Sequence, residues 1–143
     1  MPFSRRQFLS SAAAVAAAGQ VPLALAKSPT KMESLIELLP NVIHTANDPG
    51  RWKKKAGSHL PDVSLEGSSL TVKTHHGMSR KHYIVRHLLV LDDGSVLGSK
   101  TYASDDKPEM TITLPENVGG RTVLALSFCN RHDLWASSYA ILG

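Results

Sequence analysis

Five side chains of the kinds that bind transition metals are grouped in three parts of the chain. Cys129 and His132 stand three residues apart, directly after an apolar run. His76 and His82 stand six residues apart on either side of a polar loop, and His59 lies shortly before a proline, which restrains the backbone. Imidazole and thiolate are ligands of divalent transition metals. These five residues are therefore candidates for a metal site.

The histidine and cysteine counts favour an imidazole-rich site over a thiol-rich one. The 143 residues include seven histidines and a single cysteine. One cysteine excludes an internal disulfide framework and any four-cysteine zinc or iron–sulfur site within one chain. Taken alone, a Cys-x-x-His pair is more often a packed cysteine beside a surface histidine, so the metal hypothesis depends on the whole set.

The first 26 residues have the pattern of an export signal. Ser-Arg-Arg-Gln-Phe-Leu at residues 4–9 is a twin-arginine motif, an Ala-rich stretch follows, and Ala-Leu-Ala at residues 24–26 is a small-x-small cleavage pattern. A membrane anchor is the alternative, but Gly19, Gln20 and Pro22 interrupt the run, and a span needs about 18 strongly apolar residues. We expect a signal peptide at residues 1–26, recognised by the twin-arginine translocase, and a periplasmic domain at residues 27–143.

Export changes both the charge and the redox environment of the chain. Removing residues 1–26 lowers the formal charge from +4 to +2, which leaves no strong indication of nucleic-acid binding. The twin-arginine route carries folded proteins, often with a cofactor already inserted, which favours a metal. Outside the cytoplasm a lone cysteine lacks the cytosolic reductants, and binding to a metal would protect it.

Residues 27–143 are expected to form mostly short strands that position the candidate ligands. A short amphipathic helix at residues 32–39 ends at Pro40, and residues 41–62 are expected to be largely irregular. The expected strands cover residues 69–74, 82–91, 96–102, 110–114, 121–128 and 135–142. Such short strands, with no long helix between them, predict an antiparallel β-sandwich.

The candidate ligands and their neighbours resemble the superoxide reductases, which are the neelaredoxins and the iron-binding domain of desulfoferrodoxin. Cys-Asn-Arg-His-Asp-Leu-Trp at residues 129–135 is similar to the family signature Cys-Asn-x-His-Gly-Leu-Trp. His76, five intervening residues and His-Tyr-Ile at 82–84 resemble the two-histidine loop of the family. Ser-His-Leu-Pro at 58–61, with Trp52 shortly before it, resembles the first-histidine segment.

This resemblance implies a fold, a cofactor and an activity. The fold would be all-β, an immunoglobulin-like antiparallel β-sandwich of about seven strands, holding one mononuclear iron per chain. The implied ligands are four imidazoles in a plane and one axial thiolate: His59, His76, His82 and His132, with Cys129. Superoxide would take one electron from Fe(II) at the open sixth position and leave as hydrogen peroxide, with no catalytic residue beyond the metal ligands. An unidentified periplasmic electron donor would then reduce Fe(III), and the sequence leaves a homo-oligomer open.

Three departures from the family pattern bear on this expectation. Gly57 and Ser58 replace a Glu-Lys pair, of which the lysine helps to attract superoxide. The lysines at residues 53–55 could supply that charge, although such a run is also typical of a solvated loop. Asp133 replaces a glycine, and either tolerates a positive φ there or accepts a hydrogen bond from His132. Gly77 replaces a proline and loosens its loop.

Several alternatives remain at this stage. His75 adjoins His76 and could replace it as a ligand if the loop shifted by one residue, whereas His44 and His87 match no ligand of the family. Zinc could occupy such a site, although five ligands in a square pyramid disfavour a metal that prefers a tetrahedron. The missing Glu-Lys pair favours an iron-binding or redox-sensing protein without efficient turnover. An immunoglobulin-like interaction module with vestigial ligands is the third possibility.

Overall fold

The structure, a computed structural model, describes residues 31–143; the expected signal peptide and its cleavage site lie outside these residues. The helices are α1 (Lys31–Leu38) and α2 (Ala56–His59), with short 3₁₀ helices at Gly50–Lys55 and Glu116–Val118. The strands are β1 (Ile43–His44), β2 (Pro61–Glu66), β3 (Ser69–Thr74), β4 (Ile84–Leu91), β5 (Val96–Thr101), β6 (Glu109–Thr113), β7 (Thr122–Cys129) and β8 (Asp133–Ala140). Within this part of the chain, no helix has the length and apolar character needed to cross a bilayer.

The strands form two facing sheets, which confirms the all-β, immunoglobulin-like sandwich. One sheet has five strands in the order β1-β8-β7-β4-β5, and the other has three in the order β2-β3-β6. Neighbouring strands are antiparallel, except that β1 pairs with β8 in parallel. The described residues contain eight strands, where the resemblance implied about seven and the sequence pattern six. The two-residue β1 is too short to leave a periodic pattern in the sequence.

Alternating apolar side chains explain how the two sheets pack against each other. Along β3, Leu70 and Val72 are fully buried, while Lys73 between Val72 and Thr74 is exposed. They meet Leu89 of β4 and Val123 of β7 in the main core between the sheets. Burial of apolar area is the main favourable term in folding, at about 25 cal/mol per Å². The sandwich is thus a rigid base for the loops at its ends.

The outer face of the five-stranded sheet is covered by α1. Leu124 and Leu126 of β7 point away from the main core and form a second apolar cluster with Ala136 of β8. Ile36 of α1 packs against this cluster, because it lies on the apolar side of the amphipathic helix. The expected helix therefore exists, one residue earlier than predicted, and it packs on its own chain.

The expectation of a largely irregular segment at residues 41–62 is wrong in part. β1, a 3₁₀ helix and α2 all lie within it, and Pro61 opens β2, a strand that the sequence analysis missed. β2 pairs with β3 from Pro61 opposite Thr74 to Glu66 opposite Ser69. Its proline is tolerated because β2 is an edge strand and the proline is its first residue.

Candidate metal centre

Three segments bring the candidate ligands to one end of the sandwich. α2 ends at His59, and the loop between β3 and β4 contains both His76 and His82. Cys129 is the last residue of β7, and His132 lies in the tight turn that leads from it to β8. Ile84 of β4 lies opposite Cys129 of β7, so the strand pairing itself places His82 beside the β7–β8 turn.

Four imidazole nitrogens form a close-spaced series at this point. The Nε2 atoms of His76 and His82 are 3.1 Å apart, and His82 Nε2 is 3.0 Å from His132 Nδ1. His132 Nδ1 is also 3.0 Å from His59 Nε2. The rings of His59 and His76 also lie close together, with centroids 4.5 Å apart. Three short nitrogen–nitrogen contacts and one close ring pair therefore group the four imidazoles.

Hydrogen bonding alone does not account for this arrangement. Each imidazole nitrogen has one proton or one lone pair in its ring plane, so it makes one good hydrogen bond. His82 Nε2 and His132 Nδ1 nevertheless each face two other ring nitrogens. These three nitrogen–nitrogen distances match successive edges of a square whose centre would lie about 2.1 Å from each corner, which is the usual metal–imidazole distance. The donor set therefore fits a metal ion.

Cys129 adds a sulfur to the same group. Its side chain is buried, and its Sγ lies 3.7 Å from His132 Nδ1. The donor atoms of His59, His82, Cys129 and His132 all lie within 4.8 Å of one another, and His76 joins them through His82. The backbone N–H of Arg131 donates to Sγ at 3.5 Å, which stabilises a thiolate.

A backbone contact sets the tautomer of His59. Its Nδ1 lies 3.0 Å from the carbonyl oxygen of Lys55 and 2.9 Å from Ser58 Oγ. A carbonyl oxygen only accepts, so Nδ1 carries the proton and donates to Lys55. The Nε2 atom of the neutral ring is then left with its lone pair directed at the site, which is the form that binds a metal.

The four histidines are held in the neutral form needed for coordination. Burial, followed by the proximity of His76, lowers the pKa of His59 to about 4. Burial is also the largest cause of the lowered pKa values of His76, His82 and His132, and neighbouring cations or imidazoles add to it. At neutral pH all four rings therefore offer lone pairs.

The other three histidines lie elsewhere. His75 is exposed and its Nε2 is 3.5 Å from Asp62 Oδ2, away from the ring of nitrogens. His87 is fully buried in the sandwich, and His44 is fully buried against Trp135, with ring centroids 5.2 Å apart. The structure thus brings together the five residues that the sequence analysis singled out and separates them from these three.

Asp133 adopts the left-handed conformation but makes other contacts than expected. Its φ is +64°, as the replacement of a glycine suggested. Its Oδ2 accepts hydrogen bonds from Arg51 Nη2 and Trp52 Nε1, both at 2.7 Å, and lies 3.3 Å from His44 Nε2. Burial alone would raise the pKa of Asp133, but these hydrogen bonds outweigh it and lower the pKa to about 2. The alternative, a hydrogen bond from His132, is therefore wrong.

Sequence reasoning missed Arg51 and His44 as neighbours of the site. They lie 82 and 89 residues from Asp133 in the sequence. No local spacing connects residues so far apart, so the sequence held no signal for this contact. Trp52 was noted only because it precedes the first-histidine segment.

Comparison with known proteins agrees with the geometry. A twin-arginine translocation signal model matches residues 2–22, which indicates export by this pathway, typically to the periplasm. None of the curated proteins compared with the chain matches it. The superoxide reductase (neelaredoxin) from Ignicoccus hospitalis has a similar fold, with a TM-score of 0.57 and 22% identity over 71% of this chain and 94% of that chain.

Two further solved structures are similar to the chain. The superoxide reductase from Treponema pallidum has a TM-score of 0.51 and 29% identity over 59% of this chain and 69% of that one. The superoxide reductase from Giardia intestinalis has a TM-score of 0.53 and 20% identity over 59% and 98%. The desulfoferrodoxin family model matches residues 51–138, a stretch that contains all five grouped donors. The chain therefore belongs to the desulfoferrodoxin family.

Proposed function

We propose that this exported protein is a superoxide reductase that binds one iron per chain, and that its mature domain is residues 27–143. The observation that carries the proposal is the convergence of four neutral imidazoles and one buried cysteine on a single space. The ligands would be His59, His76, His82, Cys129 and His132. Membership of the desulfoferrodoxin family and the similarity to solved superoxide reductases support it.

The side chains have distinct parts in this proposal. When bound, iron would supply the one electron that, with two protons, converts superoxide into hydrogen peroxide. His59 and Cys129 are buried and hold the inner side of the site, whereas His82 and His132 are half-buried and face solvent. The N–H of Arg131 directed at Sγ favours the thiolate, which donates charge to a metal. Each turnover uses one electron, so an electron donor outside this chain must restore it.

Positive charge around the site would attract the superoxide anion. The three segments that carry the ligands, residues 51–60, 75–83 and 129–133, contain seven lysines and arginines but one carboxylate, Asp133. Lys55 and Arg131 act most directly, because the charges of both lower the pKa of His82 and of His132. A cationic rim of this kind raises the encounter rate of an anion. We propose that Lys55 substitutes for the lysine that the family has near the first histidine.

An iron-binding or redox-sensing protein without efficient turnover is the second candidate. Gly57 and Ser58 stand where many family members have Glu and Lys, which is the observation that favours it. An interaction module with vestigial ligands is harder to reconcile with the side-chain geometry, because imidazole nitrogens 3.0 Å apart serve no evident purpose without a metal.

The visible spectrum of iron-loaded protein, followed by its rate with superoxide, tests the proposal. We expect a thiolate-to-Fe(III) charge-transfer band in the oxidised protein and none in the reduced protein. Cys129→Ser should weaken iron binding and abolish the band, whereas a band that persisted in this variant would refute Cys129 as the sulfur ligand. A protein with the band that reacted with superoxide no faster than free iron would be the second candidate. A protein that held no iron would refute both.

A further inference from the structure

The carboxylate of Asp133 connects segments that lie far apart in the sequence. It accepts a short hydrogen bond from the indole N–H of Trp52 and another from the guanidinium of Arg51, both at 2.7 Å. Its side chain is about one-third exposed, while the side chain of its third neighbour, His44, is almost fully buried. Asp133, the first residue of β8, therefore links the end of the β7–β8 turn to the 3₁₀ helix that leads to His59.

Trp52 in turn contacts a proposed metal ligand. The rings of Trp52 and His132 meet edge to face, with centroids 4.6 Å apart and planes at 80°. Trp52 also interrupts its helix, since its φ of −98° and ψ of 20° are not helical. Its indole is thus held by contacts with Asp133 and His132 and not by a regular helix.

A second tryptophan holds the backbone of the same ligand. Trp135 Nε1 donates to the carbonyl oxygen of His132 at 2.8 Å. His44, which neighbours Asp133, packs on the Trp135 ring. The His132 backbone is therefore fixed by Trp135, and its ring is contacted by Trp52.

The positive φ of Asp133 indicates that its side chain contributes more than packing. A φ of +64° is unfavourable for a residue with a Cβ and is readily adopted by glycine. An aspartate here has a conformational cost that glycine would not have, and its three polar contacts offset it. One of these contacts is with Trp52, whose ring touches His132.

We propose that Asp133 is a positioning residue: its hydrogen bond to Trp52 holds the indole against His132 and so fixes the ring plane of this ligand. The proposal rests on the assignment of His132 as a metal ligand under the proposed function. Partners that orient a metal-bound histidine change metal affinity, commonly by about 10- to 100-fold when they are lost. Because the effect passes through Trp52, the two residues should act as one unit.

Four variants separate this role from general structural support. Asp133→Gly relieves the positive φ but removes the carboxylate, whereas Asp133→Asn keeps an oxygen that accepts from Trp52. Trp52→Phe keeps an aromatic ring but loses the N–H donor. Arg51→Gln is the control for charge: it removes the ion pair, and with it the guanidinium 5.3 Å from the centre of the Trp52 ring, and leaves the bond between Asp133 and Trp52 in place.

The readouts are the energy of the charge-transfer band and the Fe(III)/Fe(II) potential of the full iron-loaded protein. We expect Asp133→Gly and Trp52→Phe to shift both and to lower iron affinity about tenfold. The double variant should add little to either. Asp133→Asn and Arg51→Gln each change one charge, so they should move the potential only slightly and in opposite directions, and should leave the band energy near that of the wild type. Loss of folded protein would reduce the intensity of the band without moving it. Unshifted bands, or effects that add fully in the double variant, would overturn the proposal.

A measurement on the metal-free protein keeps this test independent of the proposed function. The Trp52 ring shifts the NMR frequencies of the His132 ring protons through its ring current. Asp133→Gly should move these signals further than Asp133→Asn, because only the glycine variant loses the acceptor of the Trp52 N–H. Unchanged His132 signals in Asp133→Gly would contradict the positioning role, even if the protein bound no iron, in which case the superoxide reductase assignment would fail on its own.

Discussion

His132 directs Nδ1 toward His59, whose own donor atom is Nε2, and the two nitrogens are 3.0 Å apart. His76 and His82 also present Nε2. His132 differs in presenting Nδ1, and it lies in the tight turn that follows Cys129. Nδ1, the ring nitrogen nearer to the His132 backbone, is the one that faces the other donor atoms.

This difference predicts which amide can replace which histidine. The side-chain oxygen of asparagine occupies roughly the place of Nδ1, and that of glutamine the place of Nε2. We expect His132→Asn to bind iron more tightly than His132→Gln, and His82→Gln to bind it more tightly than His82→Asn. Metal competition titrations measure the four affinities. If the same amide gave the tighter binding at both positions, the assignment of Nδ1 to His132 and Nε2 to His82 as donor atoms would be contradicted.

The choice between His75 and His76 gives a second prediction. His76 Nε2 is 3.1 Å from His82 Nε2, whereas the exposed His75 faces Asp62. We expect His76→Ala to reduce iron affinity at least about tenfold, because it removes a ligand. His75→Ala is the control and should leave the affinity and the visible spectrum unchanged. The reverse result would mean that the loop shifts by one residue when the metal binds.

Local spacing explains which parts of the site were predictable from the sequence. Cys129 and His132 share one turn, and His76 and His82 share one loop, so their motifs predicted their proximity. β3 was predicted because Leu70 and Val72 alternate with polar residues, and β4 because it lies in a long β-branched and aliphatic run. β2 was missed even though Val63 and Leu65 alternate with polar residues, because the preceding turn residues suggested an irregular segment through residue 62.

Long-range polar contacts explain the rest. Asp133 meets Arg51 and Trp52 across more than 80 residues, and only the packing of the 3₁₀ helix against the β7–β8 turn brings them together. The full burial of His87 was likewise not predictable, since a histidine in an apolar strand is compatible with either face. Which face it occupies depends on the partners across the sheets.

Lys55 supplies the third prediction. Lys55→Gln should lower the second-order rate constant with superoxide about threefold at low ionic strength, because a positive charge near the site is lost. The difference should shrink as salt is added, since the screening length falls to about 8 Å at physiological ionic strength. Lys54→Gln is the matched control, as the neighbouring lysine is not among the charges that affect the ligand pKa values. Pulse radiolysis measures both rate constants. Equal losses in the two variants would show that the lysines at residues 53–55 attract superoxide together and that Lys55 has no special part.

His87 gives a prediction about stability that is independent of the metal. Its side chain is fully buried, with Nε2 2.8 Å from Thr74 Oγ1 and Nδ1 2.8 Å from Tyr102 OH. Thr74 Oγ1 is also 2.9 Å from Ser127 Oγ, so the imidazole belongs to a polar network inside the core. Burial, with a smaller contribution from Lys100, lowers the pKa of His87 to about 4.

The lowered pKa makes the fold sensitive to acid between pH 6.5 and 4. In this range the unfolded chain, with a histidine pKa of about 6.5, binds a proton that the folded chain does not, so stability falls as the pH falls. From pH 7 to pH 5 this residue should cost about 2 kcal/mol of unfolding free energy. His87→Gln, which keeps polar groups for Thr74 and Tyr102, should lose less over the same interval. Urea unfolding of both metal-free proteins at the two pH values measures the difference, and because the histidines of the metal centre titrate in both, equal losses would show that His87 is not the source.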